Sequence, residues 1–144
     1  MEFQFNDGGR KAAGYKGWTD DCVVRSIAIG TGIPYKQVYK DLFAIIKEKR
    51  KKSKSKLKRT SPFKGVFAED YHGYILNNGF TWTPTMFIGQ GCKVHMRKEE
   101  LPDGILIVSL SGHMSVVIDG VIHDTTNISR GGMRCVYGYY KKTK

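Results

Sequence analysis

No run of roughly 18 apolar residues occurs in the 144-residue chain, so no segment has the length of a membrane-spanning helix. The opening Met1-Glu2-Phe3-Gln4-Phe5-Asn6-Asp7 lacks the basic start and apolar stretch of an export signal. The expectation is a cytoplasmic protein with no membrane contact. Cysteine is scarce: Cys22, Cys92 and Cys135 are far apart, odd in number and form no Cys-x-x-Cys pair. That speaks against a disulfide scaffold and for a reducing compartment. Proline is rare at 4 while glycine reaches 17, a mix that suits an α/β or α+β domain with many turns. No internal repeat is found, and the length predicts one domain over residues 1–144.

Acidic residues are also in the minority, giving a net charge of +11. Most of it is local. Between Lys47 and Arg59 the only acid is Glu48, against nine basic residues. Residues 47–64 therefore read as a basic insertion, solvated and self-repelling unless an anionic partner holds it. Lys49, Arg50, Lys51, Lys52, Lys54, Lys56, Lys58 and Arg59 are the candidates for contact with nucleic acid or an acidic protein through residues 47–59. No aromatic is interleaved with them, which disfavours base stacking, and no RNA-recognition or zinc-finger signature is present.

Residues 1–18 read as a lead-in loop with at most one short strand, because glycines interrupt the aromatics. Val38, Leu42, Ile45 and Ile46 recur at helical spacing after Pro34, and Phe67, Tyr71, Tyr74 and Ile75 do so up to Asn78-Gly79. A strand at Phe80–Thr83 and a short helix near Lys98–Leu101 follow. The last third is strand-rich: Ile105–Leu110, His113–Ile118, Val121–Asp124 and Cys135–Tyr140.

The chemistry centres on the segment from Thr19 to Gly32. Thr19, Asp20 and Asp21 are capping residues, Gly30 or Gly32 is a stop, and Val23, Val24, Ile27, Ala28 and Ile29 make a mostly apolar helix. Cys22 then stands at its first turn, where the helix dipole favours thiolate and free N–H groups can meet an oxyanion. The plain alternative is a packing cysteine.

Asp119-Gly120 is a strong signal for a two-residue type I′ hairpin. It pairs Ile118 with Val121, Val117 with Ile122 and Ser115 with Asp124. His113 then lies on a same-face diagonal from Asp124, within reach of an imidazole–carboxylate bond, while His123 faces the other way. Cys22 as nucleophile, His113 as proton carrier and Asp124 as its orienting group make a triad for thiol catalysis. No cofactor is called for. A zinc site from Cys92 and His95 with His72, His123 or Cys135 lacks a second close ligand pair, so no metal is assigned.

With these residues in place, Asp21-Cys22 before an apolar helix, Ser111-Gly112-His113 before an apolar strand, and Asp124 after a short hairpin, the chain resembles the papain-like cysteine peptidases. The likeness is greatest to the compact double-glycine-leader, bacteriocin-processing branch and to small papain-like proteins of bacteriophages. It covers about Trp18 to Thr31 and Gly104 to Tyr140. The resemblance implies an α+β fold, with an N-terminal helical half packed on a C-terminal antiparallel sheet and the site between them. It also implies cleavage of a peptide or isopeptide bond in a protein or peptide substrate, in the cytoplasm of a host cell if phage-encoded. Such peptidases place a Gln about six residues before the cysteine, where this chain has Lys16. Lys16, Thr19 or a backbone N–H is then the oxyanion donor. A non-catalytic papain-like domain that binds through the basic segment is the alternative function.

Overall fold

The computed structural model describes residues 1–15, 21–52 and 68–143. In chain order these form β1 (Glu2–Phe5), α1 (Cys22–Thr31), α2 (Tyr35–Lys52), α3 (Ala68–Asn77), β2 (Phe80–Pro84), β3 (Ile105–Leu110), β4 (His113–Ile118), β5 (Val121–Asp124) and β6 (Gly138–Lys142). A single-turn 3-10 helix, Lys98–Glu100, precedes β3. The class is α+β.

The sheet has the order β1-β5-β4-β3-β6-β2. It is mixed, which corrects the antiparallel expectation: β1 runs parallel to β5, pairing Phe3 with Ile122 and Phe5 with Asp124. The β4–β5 hairpin leaves the outer edge of β5 open, and the N-terminal strand occupies that edge, satisfying backbone groups that would otherwise be unpaired.

The hairpin itself follows from its turn. Asp119 and Gly120 have φ of 48° and 80°, the two positive values of a type I′ loop, and Ile118 pairs with Val121 and Val117 with Ile122. Apolar side chains cover both faces of the central strands. Ile107, Met114 and Val116 meet Val23, Val24, Ile27 and Ala28 of α1 on one face. Leu106, Val108, Leu110, Val117 and Ile122 meet Met96, Leu101 and Val136 on the other. Two-sided burial is why β3 reads as an unbroken apolar run rather than an alternating one. Gly30 allows α1 to lie close to the sheet: a Cβ there would stand 2.7 Å from Ile107 Cγ1.

Two boundaries and one bond differ from expectation. Helix α2 continues to Lys52, five residues into the basic segment. Lys, Arg and Glu are good helix formers, and Lys49 anchors that turn by donating to the Glu69 carbonyl and pairing with Asp70 at 3.6 Å. Strand β6 begins at Gly138 rather than Cys135, because Cys135 bridges to His95 instead. Cys92 and Cys135 form a disulfide, against the expectation of reduced thiols. The isolated bridges Met86–Cys92 and His95–Cys135 bring their Cα atoms to 5.9 Å, a normal disulfide separation. The cysteine pattern thus gives no support to a reducing compartment. Among the described residues, no helix is long and apolar enough to cross a membrane.

Candidate functional site

Cys22 is the first residue of α1 and Asp21 its N-cap. The Asp21 side chain makes no hydrogen bond to the opening turn, and the other capping candidates, Thr19 and Asp20, lie outside the described residues. Asp21, at 0% exposure, instead turns into a polar cluster. Its carboxylate accepts from the Tyr35 hydroxyl at 2.6 Å and, one helical turn on, from Arg25 Nη1, and it forms an ion pair with Arg10 Nε at 3.2 Å. A carboxylate buried this far needs such partners. Burial and the bond to Asp21 push the Tyr35 hydroxyl far above its ordinary pKa. The first-turn N–H groups of α1 thus receive no cap from the Asp21 carboxylate.

His113 opens β4 and Asp124 ends β5, so the hairpin sets them diagonally across two adjacent strands. His113 Nε2 lies 2.8 Å from Asp124 Oδ2. The Cys22 sulfur is the ring's other interaction partner, close enough to act on its proton, while Nε2 is turned to Asp124. Cys22 is the one free cysteine and is partly exposed. Burial pulls the His113 pKa down, but bonds to Asp124 and Cys22 and the charge of both more than reverse this, pushing it up to about 9.

Asp124 is 4% exposed. Besides His113 it accepts from Ser115 Oγ at 2.7 Å and the Thr125 N–H at 2.6 Å, and Arg25 Nη2 stands 3.8 Å from Oδ1. Burial works against its ionised form, but the bonds from His113, Ser115 and Thr125 outweigh it and hold the carboxyl below the usual range. Tyr71 of α3 stands near the sulfur, its hydroxyl pushed up by burial and then by Cys22.

The structure therefore brings together Cys22, His113 and Asp124, from three segments distant in sequence. Lys16 and Thr19 lie outside the described residues, as do Lys54, Lys56, Lys58 and Arg59. Arg50, Lys51 and Lys52 lie in α2, and their side chains are likewise not described. Of the anion candidates, Lys49 is engaged within the fold by Glu69 and Asp70. The zinc grouping is not formed: Cys92 and Cys135 bond each other, His95 Nδ1 faces Glu100 at 3.1 Å, and His72 Nδ1 faces the Tyr140 hydroxyl at 2.8 Å. Arg10, Arg25, Tyr35 and Tyr71 escaped the sequence reading. Only the Asp21–Arg25 pair left a signal, the four-residue spacing of a helical ion pair.

A cavity of about 340 Å³ lined by Met86, Phe87, Ile88 and Tyr137 opens at the same end of the sheet. Tyr137 donates its N–H to Ser109 of β3, and Leu110 pairs with His113. At about 5 Å per strand, that puts Tyr137 and His113 roughly 10 Å apart along the sheet end.

Fold and site together define an α+β domain in which a cysteine, a histidine and an aspartate are brought together, the histidine bonded to the aspartate. Comparison with protein-family models, with curated proteins and with solved structures finds no match to this chain.

Proposed function

We propose that this protein is a thiol-dependent hydrolase, papain-like in its chemistry, that cleaves a peptide or isopeptide bond. The observation that carries the reading is His113 between Cys22 and Asp124 at the start of α1. An imidazole that stays protonated up to about pH 9 is suited to lie beside a thiolate and then to act as an acid.

The Cys22 sulfur adds to the substrate carbonyl carbon, and first-turn N–H groups of α1 receive the oxygen's developing charge. The C–N bond breaks as His113 gives its proton to the leaving amine. Water then attacks the thioester while His113 takes a proton from it, releasing the acid and restoring Cys22. Asp124 keeps the ring oriented throughout. The apolar cavity at Tyr137 lies within the span of about three extended residues from His113, a distance at which a peptide side chain can be held.

The test is alkylation of the native protein by iodoacetamide at pH 6, followed by mass spectrometry. Cys22 reacts tens of times faster than glutathione, on the order seen for activated thiolates, and His113→Ala abolishes the advantage. Labelling at the glutathione rate, unchanged by His113→Ala, overturns the reading and leaves a domain that acts through its basic segment.

A further inference from the structure

Two carboxylates are buried beside the candidate site, and one guanidinium reaches both. Arg25 is four residues after Asp21 and three after Cys22, so the first turn of α1 brings it over the end of the sheet. Its side chain is 13% exposed. Nη1 bonds Asp21 Oδ1, and Nη2 lies 3.8 Å from Asp124 Oδ1. The loop before α1 closes over this arrangement: Gly8, at φ 70°, lies against the Arg25 backbone, where a Cβ would come within 2.9 Å of the carbonyl oxygen. The same loop supplies Arg10 to Asp21.

We propose that Arg25 is a positioning residue of the catalytic site, tying the cap of the Cys22 helix to Asp124 and dividing the Asp124 charge between His113 and itself. The proposal rests on the hydrolase reading above. The two oxygens of Asp124 are used differently. Oδ2 takes His113 and Ser115, whereas Oδ1 takes the Thr125 N–H and faces Arg25 at more than hydrogen-bond length. The hold of Arg25 on Asp124 is therefore one of charge. An imidazolium facing an unshared carboxylate keeps its proton too firmly to pass it to a leaving amine. Arg25 moderates that pull. It also fixes the start of α1, and so Cys22, relative to the β4–β5 hairpin. The other groups facing this cluster are Tyr35 of α2 and Arg10 on Asp21, Tyr71 of α3 near Cys22, Ser115 and Thr125 on Asp124, and Arg134 within electrostatic reach of Asp124.

The experiment follows the His113 ring by NMR through a pH titration of the full chain, with the resonance assigned by its loss in His113→Gln. Arg25→Gln removes the cation that stands 3.8 Å from Asp124 Oδ1, so the midpoint rises by about one pH unit. Asp21→Asn has the opposite sign, because Arg25 then serves Asp124 alone and the midpoint falls. Arg25→Lys keeps the charge but reaches only one carboxylate, and gives an upward shift smaller than that of Arg25→Gln. A purely structural role lowers the melting temperature without moving the midpoint, and an unmoved midpoint in any of the three that folds overturns the proposal. Wild-type alkylation at pH 6 separates the failures. If Cys22 is inert the hydrolase reading falls, whereas an activated Cys22 with unmoved midpoints condemns only the role of Arg25.

Discussion

Replacing Asp124 by Asn tests the His113–Asp124 pair through stability alone, without a substrate. His113 rises from its ordinary 6.5 to about 9 in the folded chain. A group whose folded pKa is raised binds more protons folded than unfolded across that interval. Its contribution is therefore complete below pH 6.5 and is lost as pH climbs through 9. At about 1.4 kcal/mol per pH unit the interval sets a ceiling of roughly 3 kcal/mol. Since the His113 side chain is 19% exposed, solvent screening lowers the expected loss to about 2 kcal/mol. In Asp124→Asn the amide keeps the shape but not the charge, so the ring loses the Asp124 share of its upward pull while the Cys22 share remains, its midpoint drops, and a corresponding part of this slope disappears. Urea unfolding at half-unit steps from pH 6 to 9.5 gives both curves, and titrations common to the two proteins cancel in the difference. At the acid end the order reverses. Asp124, whose pKa is depressed in the folded state, gives wild type a stability that vanishes as pH falls below about 4. Parallel curves for wild type and Asp124→Asn between pH 6.5 and 9 would refute the reasoning.

Ser115→Ala removes one acceptor contact from a 4%-exposed carboxylate, and urea unfolding at pH 7 should show a loss of about 1 kcal/mol. Gly30→Ala drives a methyl group against the buried Ile107. The overlap costs about 1–3 kcal/mol, more than the gain of under about 1 kcal/mol in helix propensity, so the urea midpoint falls. Reducing Cys92–Cys135 opens a 43-residue span and should lower stability by about 4 kcal/mol, read as a drop in the urea midpoint on adding dithiothreitol. Three free thiols in the unreduced, denatured protein would show instead that the bond is absent.

The parts of the site legible in the sequence are those set by local rules. Capping residues and an apolar run place Cys22 at a helix start, and Asp119-Gly120 fixes a register in which residues eleven apart must meet, since a slip of one would turn Asp124 to the opposite face. What escaped depends on partners distant in sequence. The parallel pairing of β1 with β5 spans more than a hundred residues and rests on an edge that exists only once the hairpin has formed. The disulfide escaped because its cysteines are brought together by two isolated bridges rather than by a repeating pattern. Asp21 was legible as a cap, but the capping preference is worth only about 1 kcal/mol, and a buried ionic cluster with Arg10, Arg25 and Tyr35 redirects the carboxylate.

That redirection bears on which groups govern the chemistry. Among the described residues, the ion pairs beside Cys22 and His113 set Asp21 and Asp124 against Arg10 and Arg25, two of each sign. A site so balanced owes little to the +11 of the chain, most of which belongs to residues 47–59. Exposed charges beyond about 8 Å are screened at physiological salt, while pairs as buried as these are screened much less. Salt therefore acts on the two surfaces differently. Alkylation of Cys22 at fixed pH stays nearly constant as sodium chloride is raised, because Asp124 and Arg25 are shielded from the added ions. Were a polyanion to dock on the basic segment, its binding would weaken steeply over the same range, as displaced counterions require. A Cys22 reactivity that fell as steeply as that binding would mean that the basic segment, and not the buried ion cluster, sets the field at the sulfur.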